Sequence, residues 1–142
     1  MISQLTVFLA NEKGRLAAAS RVIADAGINM HALFLADTED FGVARIFCDT
    51  PEAAAEALRQ EGYRASVTPV LGVRVPNRPG GLASLLEFFD SRDVNIEYGY
   101  CFSVNEDTAV DVLKVSDPAI ESELPAAGFE PVSPEDIYES DR

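Results

Sequence analysis

The sequence predicts an α+β protein made of two tandem modules, each with an antiparallel sheet and both helices on one face. Two observations lead to this prediction. The chain repeats itself at an offset of 66 residues, and each copy shows the element order β-α-β-β-α-β. A unit with this order folds as a split βαβ arrangement of four antiparallel strands. With 142 residues, 47% of them hydrophobic, the chain has enough apolar side chains to build a folded core.

The internal repeat follows one frame in both copies. An Asn-x-x-Gly-x-Leu-Ala turn follows the first strand, and an Ile-Asn or Val-Asn pair precedes the second strand. Identical pairs include Asn11 with Asn77, Gly14 with Gly80, Leu16 with Leu82, Ala17 with Ala83, Asn29 with Asn95, and Gly62 with Gly128. We therefore predict a first module over residues 1–68, a second over 69–132, and an acidic C-terminal tail over 133–142.

Periodicity identifies the elements of the first copy. Leu5, Val7 and Leu9 recur with the period of two that is typical of a strand. Apolar residues at helical spacing then predict a helix that Gly27 ends. The remaining elements, in chain order, are a strand over Asn29–Ala36, a turn over Asp37–Asp40, a strand over Gly42–Cys48, a helix that Thr50 caps and Gly62 ends, and a strand over Ala65–Pro69.

The second copy repeats this order with one departure. Its elements are a strand over Leu71–Val75, a turn over Pro76–Gly81, a helix with the stripe Leu82, Leu85, Leu86 and Phe89, strands over Ile96–Ser103 and Ala109–Val115, and a short strand near Phe129–Val132. Asp117-Pro118 opens the second helix, but Pro125 falls inside it, where proline costs about 3 kcal/mol. We expect this helix to be short or broken there. In the tail, Ser133-Pro134 predicts one helical turn, and we expect the acidic run Glu135–Asp141 to be solvated.

The second strand of the first copy carries apolar residues on both faces. Phe34 points to one side of the predicted strand, and Leu33 and Leu35 point to the other. Such a strand is typical of a sheet that is covered on both sides, and large exposed apolar patches are rare on monomers. The cover is either the other module or a second chain, and we predict a homodimer.

Charge and composition exclude several kinds of partner. The chain has 11 basic and 24 acidic residues, a net charge of −13. Phosphate backbones and anionic membrane surfaces repel such a chain, so we expect neither nucleic acid nor a membrane as partner. No apolar run reaches the about 20 residues of a membrane-spanning helix, and the first residues show no signal-peptide pattern. We therefore expect a cytoplasmic protein.

The sequence shows no metal, cofactor or catalytic motif. Two cysteines and one histidine are too few for a disulfide framework or an ordinary zinc site. We expect both thiols, Cys48 and Cys101, to be buried and unreactive. His31 has no recognisable Ser or Cys partner, and no phosphate-binding loop, dinucleotide fingerprint, HExxH or CxxC is present. These absences predict a protein that is not an enzyme and needs no cofactor.

The duplicated motif resembles tandem ACT domains, which have a ferredoxin-like fold. The first copy has the motif Leu9-Ala10-Asn11-Glu12-Lys13-Gly14-Arg15-Leu16 followed by Ile28-Asn29-Met30, and the second has Val75-Pro76-Asn77-Arg78-Pro79-Gly80-Gly81-Leu82 followed by Val94-Asn95-Ile96. The resemblance covers about residues 1–132. It implies a free-standing regulatory protein that senses a small molecule, most often an amino acid, at interfaces between modules or subunits. It also implies a possible partner enzyme.

The resemblance places the ligand at the two strand-to-helix loops. Free backbone N–H groups at a helix N-terminus suit a carboxylate, and glycine there lets a ligand approach the backbone. We expect the asparagines that open the second strands to reach the same pocket. The expected ligand-binding residues are Asn11, Glu12, Gly14, Arg15, Leu16, Asn29 and Met30 in the first copy, and Asn77, Arg78, Gly80, Gly81, Leu82, Asn95 and Ile96 in the second. Serine-binding members carry a His two residues before the loop Asn, whereas this chain has Leu9 and Val75, which argues against serine.

For each of these residues, a purely structural role is an alternative to ligand binding. The glycines suit a strand-to-helix turn without a ligand, the asparagines suit turns because Asn tolerates left-handed conformations, and Arg15 and Arg78 suit solvent. The alternative function for the whole chain is a ligand-free regulatory or interaction subunit that docks on a partner enzyme.

Overall fold

The structure is a computed structural model that describes residues 1–37 and 40–142, and the chain divides into two compact units. The first unit contains residues 3–68 and 134–142, and the second contains residues 1–2 and 69–133. Residues 38 and 39, in the predicted turn Asp37–Asp40, lie outside the described residues.

The first unit holds the first copy of the repeat. Its elements are β1 (Ile2–Ala10), α1 (Arg15–Asp25), β2 (Met30–Asp37), β3 (Phe41–Cys48), α2 (Pro51–Gln60) and the start of β4 (Arg64–Pro76). The sheet has the order β2-β3-β1-β4, and β3 is antiparallel to both β1 and β2. Strands β1 and β2 therefore run parallel to each other, as the split βαβ arrangement requires.

The core of the first unit joins one face of the sheet to both helices. Its buried residues are Leu5, Val7, Leu9, Ala19, Ile23, Ala44, Ile46, Cys48, Ala54, Ala55, Leu58 and Ala65. Gly27, with φ 76°, follows the C-cap residue Ala26 and ends α1, as predicted. Strand β2 lies at the edge of the sheet, and its Leu33 and Leu35 side chains are 53% and 49% exposed.

The cap of α2 differs from the prediction. The helix begins at Pro51 as expected, but Thr50 has φ 43° and its side chain makes no capping hydrogen bond. Instead, the Asp141 carboxylate accepts hydrogen bonds from the backbone N–H groups of Glu52 at 2.9 Å and Ala53 at 3.1 Å. A residue far along the chain thus supplies the acceptor that the sequence analysis assigned to Thr50.

The expectation of a solvated acidic tail is also wrong in part. Tyr138 is only 6% exposed, and its ring stacks on Phe47 with 6.3 Å between ring centroids. The Tyr138 hydroxyl accepts a hydrogen bond from the backbone N–H of Ser3 at 2.7 Å. The predicted helical turn is present as the 3₁₀ helix Pro134–Asp136. The tail is therefore a packed part of the first unit.

The second unit contains the rest of β4, whose residues 64–76 form one strand where two were predicted. Its other elements are α3 (Gly81–Ser91), β5 (Ile96–Val104), β6 (Thr108–Val115) and β7 (Glu130–Pro131). Strand β6 pairs antiparallel with β4 and β5, and β7 pairs with β4. The buried core includes Leu71, Val73, Val75, Leu85, Phe89, Val94, Leu113, Val115, Ile120 and Leu124.

Proline shapes the segment that corresponds to α2 in the second unit. Two 3₁₀ helices, Pro118–Glu123 and Pro125–Ala127, stand where the repeat predicts one helix. The prediction of a short or broken helix is confirmed, since proline has no N–H to continue an α-helical ladder. Asp117 caps the first of them by accepting a hydrogen bond from the Ala119 backbone N–H at 3.1 Å.

Candidate ligand-binding site

Each predicted loop leads into its helix through a glycine in the left-handed conformation. Gly14 has φ 86° at the N-cap of α1, and Gly80 has φ 87° at the N-cap of α3. A Cβ added to either glycine would have no atom within 4 Å. The backbone conformation, rather than crowding, therefore requires glycine, and the space above the turn stays open.

The first turns of the two helices leave backbone donors unused. Among the described residues, none accepts a hydrogen bond from the N–H of Leu16 or Ala17 in α1, or from that of Leu82 or Ala83 in α3. These groups are orphan donors at the positive end of a helix dipole. The arrangement suits a carboxylate in both copies.

The loop asparagines attach each loop to a neighbouring hairpin turn. The backbone N–H of Asn11 donates to the Asp40 carbonyl at 3.2 Å, and that of Asn77 donates to the Asp107 carbonyl at 2.9 Å. The Asn77 side chain donates from Nδ2 to the Asn105 carbonyl at 2.6 Å. Its amide nitrogen therefore has a structural role in this structure, as the turn interpretation predicts.

Other loop residues also have structural partners. Arg15 pairs with Glu12 at 3.2 Å, and both side chains are more than half exposed. A small cavity of about 70 Å³ lies beside these two residues and Asn11. Gly81 is required by crowding, because a Cβ there would collide with the Pro76 carbonyl. Arg78 is exposed.

The asparagines that open the second strands lie away from the loops. The end of β1 and the start of β2 are at opposite ends of the sheet, because these strands run parallel. The Asn29 carbonyl accepts a hydrogen bond from the Asp49 N–H. Asn29 lies about 20 Å from Asn11, which is the length of the sheet. In the second unit, Asn95 pairs with Ser116 in the same way. The expectation that both asparagines of one copy reach one pocket is wrong, because within one unit they lie at opposite ends of the sheet.

An apolar groove runs between the first helix and the second strand of each unit. Groove 1 has a volume of about 560 Å³ and is lined by Val7, Leu16, Ala17, Ala19, Ser20, Met30, His31, Ala32, Leu33, Ala44 and Ile46. Groove 2 has a volume of about 480 Å³ and is lined by Leu82, Leu86, Ile96, Gly99, Tyr100, Cys101, Asp111 and Leu113. The grooves bring together Leu16 with Met30, and Leu82 with Ile96. Both volumes are in the range of small-molecule sites.

The pKa values of three side chains, Asp49, Cys48 and Asp111, are shifted from their usual values. Hydrogen bonds from the Glu139 backbone N–H and from His31 lower the pKa of Asp49. Burial raises the pKa of Cys48 to about 12. Burial also raises the pKa of Asp111, which is 7% exposed. Cys101, by contrast, is exposed, so the expectation that both thiols are buried is wrong for this residue.

Asp111 is not among the functional residues predicted from the sequence. The signal was present, because Asp111 shares its strand face with Leu113 and Val115, which the alternation places toward the core. A charged residue on such a face is rare unless it is paired.

The described residues contain no cluster of three or more His, Cys, Asp or Glu side chains that could hold a metal ion. Within the same residues, no helix is long and apolar enough to cross a membrane.

Comparison with known proteins agrees with this architecture. The chain matches the family model of the ACT domain pair over residues 1–123. Protein BT0572 from Bacteroides thetaiotaomicron is 34% identical, with a TM-score of 0.87 over 95% of this chain and 94% of that one. No curated protein matches the chain.

Two further solved structures share the fold. The ligand-free regulatory subunit of aspartate kinase from Thermus thermophilus is 18% identical, with a TM-score of 0.63 over 88% of this chain and 89% of that one. The regulatory subunit of aspartate kinase from Thermus flavus is also 18% identical, with a TM-score of 0.62 over 88% of this chain and 86% of that one. The predicted α+β fold of two ferredoxin-like modules is thereby confirmed. The chain belongs to the family of ACT domain pairs.

Proposed function

We propose that this chain is a regulatory protein that binds a small effector with a carboxylate group, namely an amino acid. The observation that carries the proposal is the repeated loop geometry. Each copy has a left-handed glycine at the helix N-cap and two unused N–H groups in the first turn. Membership of the ACT domain pair family, a regulatory domain type, supports the same conclusion.

We also propose that the chain forms a homodimer, which the positions of the asparagines support. Asn11 and Asn29 lie at opposite ends of one sheet, too far apart for one amino acid to touch both. A site that uses both residues therefore needs a second copy of the chain, which would supply one of them. The exposed apolar side chains of edge strand β2, Leu33, Phe34 and Leu35, support this proposal, because such an edge can pair with another chain.

Thermal unfolding in the presence of each of the twenty amino acids tests the ligand. An effector at 100 times its Kd adds about 2.7 kcal/mol to the free energy of unfolding. We expect Gly14→Ala and Gly80→Ala to lose this stabilisation, because the added methyl group occupies the open space above the turn. If no amino acid at millimolar concentration shifts the unfolding transition, the amino-acid proposal is wrong.

Two other glycines provide matched controls. Gly27, with φ 76°, lies at the far end of α1, and Gly128, with φ 89°, lies in the second unit. A Cβ at either position also has no atom within 4 Å. Gly27→Ala and Gly128→Ala thus carry a similar backbone cost, of about 1–2 kcal/mol, and we expect both to keep the ligand response.

Light scattering tests the dimer. The chain has a mass of 15.3 kDa, so we expect a particle of twice that mass at micromolar concentration. Leu33→Asp, on the exposed edge strand, should release monomers without unfolding them. If the wild-type chain is monomeric both without and with effector, the proposed dimer is wrong.

The same exposed strand supports a second candidate function, a subunit that docks on a partner enzyme without a ligand. Co-purification distinguishes the two. An enzyme that stays bound regardless of amino acids, together with no thermal response, favours the docking function.

A further inference from the structure

Asp111 occupies an unusual position on the central strand of the second unit. It lies on β6, opposite Cys101 on β5 and Val73 on β4. Its side chain lines groove 2, although the residue is only 7% exposed. Among the described residues, none forms a hydrogen bond or ion pair with its carboxylate. A carboxylate on a largely buried residue is costly without a partner, so this position needs a physical explanation.

The rest of groove 2 is built for a hydrocarbon. Leu82 and Leu86 on α3 are 44% and 36% exposed and face the strands across the groove. Leu113 packs directly over Gly99 on the floor of the groove, because a Cβ there would lie 2.6 Å from the Leu113 Cδ2 atom. The first copy has Leu33 at the corresponding position, opposite Ile46. Groove 2 therefore combines apolar walls with one buried negative group.

The first copy shows that the fold does not require the acid. Cys101 pairs with Asp111 in β5 and β6, and Leu35 pairs with Ala44 in β2 and β3. Ala44 thus occupies the matching place, fully buried and uncharged. Groove 1 has nearly the same volume, yet no carboxylate among its lining residues. Between the two grooves, only groove 2 has a carboxylate among its described lining residues.

We propose that groove 2 binds a primary ammonium group carried on a hydrocarbon body. The ammonium group pairs with the Asp111 carboxylate, and the hydrocarbon packs against Leu82 and Leu86. A cation in the groove supplies the partner that the carboxylate lacks, while the walls remove apolar surface from water. This site uses the groove rather than the loop N–H groups, so it does not depend on the proposed carboxylate site.

Three probes with the same six-carbon chain test the proposal: hexylammonium, hexanol and hexanoate. Calorimetric titration of the full chain should show that hexylammonium binds about tenfold or more tightly than hexanol, because hydrogen bonds to a charged group are strong. Hexanoate should not displace hexylammonium from groove 2, since Asp111 repels it there, even if its carboxylate binds at the loop N–H groups. Equal binding of hexylammonium and hexanol overturns the proposal, as does the absence of hexylammonium binding.

The isosteric variant Asp111→Asn isolates the charge. We expect it to bind hexylammonium about tenfold or more weakly than the wild type does, and to bind hexanol equally well. Unchanged hexylammonium affinity overturns the proposal. A thermal unfolding curve establishes that the variant is folded.

Cys101 gives a readout on the wild-type protein, independent of any variant. This exposed thiol lines groove 2 next to Asp111 on the neighbouring strand. Hexylammonium, but not hexanoate, should slow its alkylation by iodoacetamide. If the alkylation rate is unaffected at a hexylammonium concentration that saturates the calorimetric signal, binding occurs elsewhere and the proposal is wrong.

Discussion

The carboxylate of Asp141 accepts a hydrogen bond from the backbone N–H of Ala53 at 3.1 Å, although 88 residues separate the two in the chain. It also accepts one from Glu52 at 2.9 Å, so a residue of the tail caps helix α2. Asp141→Ala should therefore lower the free energy of unfolding by about 1 kcal/mol, the usual cost of a lost helix cap. Urea denaturation measures this change. Glu135→Ala, at an exposed position of the same tail, serves as the control and should leave the midpoint unchanged.

Tyr138 allows a second prediction about the tail. Tyr138→Ala removes a buried ring that stacks on Phe47, and should destabilise the first unit by about 3–5 kcal/mol. Tyr138→Phe keeps the ring and loses only the acceptor for the Ser3 N–H, at a cost of about 1 kcal/mol. Denaturant unfolding compares the two variants. Equal, small losses would show that the ring contributes nothing.

The carboxylate of Asp49 should stabilise the fold in a pH-dependent manner. The Glu139 backbone N–H and the His31 Nε2–H both donate to its Oδ1 atom, and they lower the pKa of Asp49 in the folded state. The stabilisation is therefore complete above the unfolded pKa of about 3.9, and it is lost as the pH falls through the lowered folded pKa. Urea midpoints of wild type and Asp49→Asn should differ at pH 6 and converge in strong acid. A difference that stays constant would contradict this.

Asp111 should show the opposite sign. Burial raises the pKa of Asp111 in the folded state, so the charged form is disfavoured there. The resulting destabilisation is absent below the unfolded pKa of about 3.9 and complete above the raised folded pKa. The stability of Asp111→Asn relative to wild type should therefore increase as the pH rises through this interval. A relative stability that falls with rising pH would show that Asp111 has a stabilising partner.

The two thiols should react very differently. Cys48 is buried, and its pKa of about 12 leaves almost no thiolate at pH 8, whereas Cys101 is exposed. Iodoacetamide should alkylate Cys101 in the folded protein, and both cysteines after unfolding in urea. Mass spectrometry of the digested protein identifies the sites. Alkylation of Cys48 at a similar rate in the folded protein would mean that this core opens readily.

Local patterns were enough to predict most of the fold. Short-range patterns correctly predicted strand β1 and the end of α1. These patterns are the alternation of Leu5, Val7 and Leu9, and the glycine that follows the helix. The effect of Pro125 was predictable for the same reason, since a missing N–H acts on its own turn. The cap from Asp141 was not predictable, because no local pattern joins it to the start of α2.

The candidate site shows where reasoning from motifs fails. The positions of Asn11 and Asn29 followed from the predicted topology, because β1 and β2 of a split βαβ unit run parallel. The family motif suggested a shared pocket. Because the two strands run parallel, however, Asn11 and Asn29 lie at opposite ends of the sheet. Asp111 is the reverse case, since the alternation of β6 marked its face and no motif drew attention to it.

Each loop hydrogen-bonds to the turn between the second and third strands of its unit, through Asn11 to Asp40 and through Asn77 to Asp107. These bonds make the hairpin turn the first region that any displacement of the loop would reach. A ligand that displaces the loop should therefore displace the hairpin turn with it. In the second unit, the Asn77 side chain donates a further hydrogen bond to this turn, at the Asn105 carbonyl. Binding at either loop should thus be transmitted to the hairpin turn of the same unit.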